Sequence, residues 1–125
     1  MENKKYILIA EDDQAYGKVY HAKLVSAGYE VVVIANGGLV IPEILKRTPD
    51  LLVLDLMMPD KSGFQVLEEI RANADLLDLK VIVASNLSQE MDIEKVRKFK
   101  VVDYFIKSDI SLGEMVDKIG KAISN

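Results

Sequence analysis

The sequence has no cysteine, which excludes disulfides and thiolate metal sites and suits a reducing compartment. It also lacks any apolar run near the roughly 20 residues that span a bilayer. The first apolar stretch, Tyr6 to Ala10, is too short for the core of a secretory signal. A soluble cytoplasmic protein without a membrane partner is expected. Positive charge is scarce: 16 Lys and Arg face 20 Asp and Glu, giving a net charge of −4 and a pI near 5.0. That balance argues against direct nucleic-acid binding, which needs a strong basic footprint. The single histidine, His21, lies in a charged helical segment and reads as a surface residue rather than a metal ligand or phosphohistidine. No internal repeat, low-complexity tract or linker is visible.

What is present is one domain's worth of core. The chain has 125 residues, 14.0 kDa and 50% apolar side chains, and residues 1–125 read as a single domain with no output domain attached. Short unbroken apolar runs recur at Tyr6 to Ala10, Val31 to Ile34, Leu51 to Leu54, Val81 to Ala84 and Tyr104 to Ile106. Such runs are typical of strands covered on both faces. Between them lie segments with a helical apolar stripe: Tyr16, Val19, Tyr20, Leu24 and Ala27; then Phe64, Leu67 and Ile70; then Leu112, Met115, Val116, Ile119 and Ile123. Five βα units with short connections predict an α/β fold, a doubly wound five-stranded parallel sheet with helices on both faces.

Stop and start signals agree with this division. Gly28 follows the first stripe, where a left-handed residue closes a helix, and Lys46 and Arg47 complement the dipole at the end of the second. Ser111 and Glu114 form a capping box opening the last helix. Pro42 is awkward, because a proline past the first turn removes a hydrogen bond and crowds a carbonyl. A late start or a distorted first turn is expected there.

The chemistry lies at the ends of the runs. Glu11 and Asp12 follow the first strand, Asp55 the third, Ser85 the fourth and Lys107 the fifth. Ligands in open parallel sheets bind outside the carboxyl ends of the strands, so these groups would converge if the first and third strands are neighbours. Crowded carboxylates repel one another and raise their pKa values unless a cation sits among them. Mg2+ suits them, as a hard ion that takes oxygen ligands and is commonly held by one or two carboxylates plus phosphate. Ser85 offers a hydroxyl to a phosphoryl oxygen and Lys107 a positive charge. A carboxylate such as Asp55 can attack phosphorus to give an acyl phosphate.

The segments ILIAEDD, LLVLDLMMPDKSG, VIVAS and DYFIK, in that order, resemble the receiver domain of two-component response regulators over essentially the whole chain. The resemblance implies a flavodoxin-like (βα)5 fold with strand order 2-1-3-4-5. It implies Asp55 as phospho-acceptor, with Asp12, Asp55 and the Met57 backbone carbonyl binding Mg2+ and Glu11 acting through metal-bound water. Ser85 and Lys107 would contact the phosphoryl group, and Tyr104 would be the aromatic switch residue. Pro59 and Gly63 match the family's turn after the acceptor. The implied partners are a sensor histidine kinase or phosphotransfer protein upstream and an effector protein or domain downstream, read through the α4-β5-α5 face, with a homodimer also compatible. A receiver of this kind is not an enzyme; it catalyses at most its own phosphorylation and dephosphorylation.

Two positions depart from the family pattern. Ser108 follows Lys107 where proline after a cis bond is usual; a non-proline cis bond costs about 3 kcal/mol, so a trans bond and a different path to Ser111 are expected. Asn86 stands where a small residue, often alanine, follows the hydroxyl. Met57 and Leu87 fill positions that influence phosphoryl loss in relatives. Bland readings apply elsewhere: Asp13 as a helix-start acid, Met58 as core packing, and Lys95, Arg97, Lys98 and Lys100 as a solvated helix face. A receiver-like interaction module acting without phosphate is the alternative. A phosphohydrolase of the haloacid-dehalogenase type would need a second acid two residues after Asp55, where Met57 stands.

Overall fold

In the computed structural model, which describes residues 3–87 and 90–124, the apolar runs form strands β1 Tyr6–Ala10, β2 Glu30–Ile34, β3 Leu51–Leu54, β4 Val81–Ser85 and β5 Asp103–Ile106. They alternate with helices α1 Gln14–Ser26, α2 Val40–Lys46, α3 Gly63–Ala72, α4 Glu90–Arg97 and α5 Leu112–Ser124. Every strand pair is parallel, and the sheet order is β2-β1-β3-β4-β5. The direction of winding reverses between β1 and β3, the kind of point at which α/β sheets hold their ligands.

Alternation along the strands sorts the core into two layers. Leu8, Leu52, Leu54, Val81 and Val83 pack against α2, α3 and α4 through Ile44, Val66, Leu67, Ile70 and Val96. On the opposite face Ile7, Ile9, Leu51, Val53 and Ile82 meet α1 and α5 through Tyr20, Leu24, Met115 and Ile119. Complete burial of a Leu or Ile stabilises by about 2 kcal/mol, so the central strands hold the sheet edge firmly in place.

Helix boundaries follow their signals. Gly28 adopts φ 100° just past α1, and Ser111 and Glu114 exchange the two bonds of a capping box, at 3.1 and 3.2 Å. Ser62 and Gln65 make a second capping box on α3. Pro42 has the predicted effect: a 3-10 turn over Gly37–Leu39 precedes α2, which starts at Val40, so the proline falls in the first turn, where no N–H is needed. The α1 stripe is narrower than predicted. Gly17, Tyr20 and Leu24 are buried, whereas Val19 is 42% exposed and Ala27 is also exposed. Gly17 lies against the Val33 side chain, and a helix turned to bring its bare backbone there carries Val19 to the side.

Candidate functional site

Strand register assembles the site. Ala10 pairs with Leu54, and the Asp55 N–H still donates to the Ala10 carbonyl at 3.0 Å, so Glu11 and Asp55 leave the sheet side by side. Carboxylate oxygens of Glu11, Asp12 and Asp55 all lie within 4.8 Å of one another. Ser85 pairs with Ile106, which sends Lys107 off the end of the sheet beside them. Lys107 Nζ donates to Glu11 Oε1 at 2.6 Å and to Asp55 Oδ2 at 3.0 Å, with all three side chains buried.

The electrostatics follow from burial. Desolvation pushes the Glu11 carboxyl up to about 7; the Lys107 ammonium opposes this and the Asp55 charge adds to it. Lys107 is itself desolvated, which favours the neutral amine, but its bonds to Glu11 and Asp55 outweigh that and raise its pKa. Backbone donors hold the remaining oxygens: the Asp13 N–H donates to Glu11 Oε2 at 3.1 Å and the Met57 N–H to Asp55 Oδ1 at 3.2 Å. Asp13 Oδ1 accepts from the N–H groups of Ala15 and Tyr16, so it caps α1 as the sequence suggests.

A cavity of about 340 Å³ opens over the acids, lined by Asp12, Asp13, Asp55, Met57, Ser85, Asn86 and Leu87. Met57 is 61% exposed at its rim, and Met58 packs on the core. Tyr104 stands one step away: its hydroxyl donates to the Leu87 carbonyl at 2.6 Å, two residues beyond Ser85. His21 is exposed on α1, and Lys95, Arg97, Lys98 and Lys100 are exposed at α4 and just beyond it, as read from the sequence. The Lys107–Ser108 bond is trans, as expected, and opens a 3-10 turn over Lys107–Asp109.

In the loop after Asp55, left-handed backbone and glycine fall at different positions. Positive φ falls on Asp60, at 73°, within a tight turn in which the Lys61 N–H donates to the Pro59 carbonyl at 2.8 Å. Gly63 is required instead by close approach, because a Cβ there would lie 2.4 Å from the Asp55 carbonyl oxygen. Gly37 braces the same loop: its N–H donates to the Pro59 carbonyl, and a Cβ would lie 1.7 Å from the Lys61 carbonyl oxygen.

Sequence reasoning missed Tyr16 at this site. Its ring lies under the Lys107 ammonium, 4.5 Å from Nζ to the centroid, a cation–π contact. The available signal was its place in the first turn of α1, four residues past Asp12, on the stripe facing the sheet.

The donor set fits Mg2+: three neighbouring carboxylates offer hard oxygen ligands, and Lys107 pairs with two of them, Glu11 and Asp55. This acidic triad lies at the carboxyl edge of a sheet with strand order 2-1-3-4-5. The family model for the response regulator receiver domain matches residues 7–120, so the chain belongs to that family. It is 37% identical over 101 residues to Response regulator RR06 of Streptococcus pneumoniae, covering 81% of this chain and 45% of that protein. It is 30% identical over 120 residues to the transcriptional regulatory protein RprY of Bacteroides fragilis, covering 95% and 49%. The crystal structure of a LuxR-family DNA-binding response regulator from Staphylococcus aureus superposes with a TM-score of 0.86 at 28% identity, over 95% of this chain and 98% of that one. The chain spans about half the length of the curated relatives it matches. Among the described residues no helix is long and apolar enough to cross a membrane.

Proposed function

We propose that this receiver domain accepts a phosphoryl group on Asp55 and passes the change to a protein partner. The observation that carries the reading is the buried Asp55 carboxylate, paired with Lys107 and gathered with Glu11 and Asp12 at the open end of the sheet. An Asp55 oxygen attacks phosphorus, and the bond to the donor breaks in line. That bond is P–N in a phosphohistidine or P–O in a small acyl phosphate, and the electron pair leaves with the donor. Lys107 would follow the charge from carboxylate to phosphoryl oxygens, and the Ser85 hydroxyl would donate to one of them. Asp12, Asp55 and the Met57 carbonyl would hold Mg2+, with Glu11 reaching it through water; the ion would neutralise charge on the transferring group.

The donor would be a sensor histidine kinase or a phosphotransfer protein. The route outward runs through Tyr104. Its hydroxyl is tied to the loop that carries Ser85 and Leu87, and its ring lines a groove of about 490 Å³ on the α4-β5-α5 side with Ile93, Val102, Ile106 and Lys118. A Ser85 drawn toward phosphate would pull this loop and release or re-seat Tyr104, shifting a two-state equilibrium toward the form an effector or second copy recognises. The domain, residues 1–125, would act here as one receiver unit.

The test is intact-protein mass after incubation with acetyl phosphate and Mg2+. A gain of one phosphoryl group, about 80 Da by formula weight, is expected in the wild type and not in Asp55→Asn or in chelator. No gain in the wild type from acetyl phosphate or from a phosphohistidine donor would favour the interaction module that works without phosphate.

A further inference from the structure

Asn86 follows Ser85, and Ser108 follows Lys107. The β4–β5 ladder ends with Ser85 opposite Ile106, so the two chains leave the sheet just where Ser85 and Lys107 must be held. Across that gap the Ser108 backbone N–H donates to Asn86 Oδ1 at 3.0 Å. One side-chain bond thus continues the pairing past the end of the sheet.

The bond also completes the Lys107–Asp109 turn. The second N–H of a helical turn is normally accepted by a polar side chain at its cap, but the cap here is Ile106, which makes no such bond. Asn86 supplies the acceptor from a different element. Both partners are needed: an alanine at 86 has no acceptor, and a proline at 108 has no N–H. The two departures from the family pattern therefore meet in one contact.

We propose that Asn86 is a positioning residue for phosphorylation. It fastens the turn that starts at Lys107 to the loop that starts at Ser85, and so fixes the Lys107 ammonium against Asp55. This rests on the reading that Asp55 is phosphorylated. Lys107 Nζ depends on its backbone turn for its place between Glu11 and Asp55, and that turn has no cap of its own. Asn86 is exposed, so replacing it leaves the core untouched.

The experiment follows phosphorylation by acetyl phosphate with Mg2+ in the wild type, Asn86→Ala and Asn86→Leu, together with exchange of the Ser108 amide proton by NMR. Leucine keeps the size of asparagine without the acceptor. Both variants should slow phosphorylation about threefold to tenfold, the worth of one hydrogen bond. Both should also speed exchange at Ser108 and lower the melting temperature by no more than a few degrees, as the loss of one hydrogen bond does, whereas Asn86→Asp, which keeps the acceptor, should leave Ser108 protected. Rates equal to wild type, a rate that follows side-chain size rather than the acceptor, or an unprotected Ser108 in the wild type would each overturn the proposal. A wild type that takes no phosphoryl group would instead defeat the underlying reading, and the wild-type sample alone tells the two failures apart.

Discussion

Lys107 is the residue on which the site turns. Two buried carboxylates share its ammonium, and removing one partner of a buried charge pair leaves an uncompensated charge that costs about 3–5 kcal/mol. Lys107→Met should therefore lower unfolding free energy by about 3 kcal/mol at pH 8, measured by urea denaturation. The penalty should shrink at pH 6, because Glu11 then holds a proton and presents no charge. The sign for the wild type follows from the same group. Unfolded Glu11 ionises near 4.5, whereas the folded carboxyl holds its proton to about 7. Between those values the native chain binds more protons, and stability falls as pH rises. Lys107, Glu11 and Asp55 were each legible as polar residues ending apolar runs. Their shared hydrogen bonds were not, because residues 52 and 96 positions apart meet only through strand register.

The loops around the acceptor are braced by backbone contacts that leave no room for a side chain. A Cβ at Gly37 or Gly63 would collide with the carbonyl oxygen of Lys61 or Asp55, and a backbone atom cannot swing aside. Gly37→Ala should cost about 2–3 kcal/mol of stability and slow phosphorylation by displacing the Asp55 loop; chemical denaturation and the mass assay read both. A second brace lies on the same face of the sheet, at the far end of α3. Arg71 donates to the carbonyls of Phe99 and Leu76, at 2.6 and 3.2 Å, fixing the end of α4 to the turn after α3. In Arg71→Met, amide exchange should accelerate at residues 99–101 while the acidic site stays intact. Helix positions, Pro42's late start and the Ser111–Glu114 box were readable because they are local. The narrowed α1 stripe was not, since it depends on Gly17 meeting Val33 on a neighbouring strand.

At the scale of the whole molecule, a winding reversal between β1 and β3 brings scattered acids into one pocket, and that topology followed from the order of apolar runs once the family resemblance set the strand order. Ligand binding to the folded form alone adds about 2.7 kcal/mol at a hundredfold excess over Kd. Mg2+ should therefore raise the melting temperature, more at pH 8 than at pH 6, where protons compete for Glu11, and Asp12→Ala should abolish the shift. Phosphorylation is expected on one side chain, Asp55. Borohydride reduction of the phosphorylated chain followed by peptide mapping locates the group, since an aspartyl phosphate is reduced to homoserine. Homoserine is expected at position 55 and at no other aspartate; modification at Asp12 or Asp13, or none at all, would mean that Asp55 is not the acceptor.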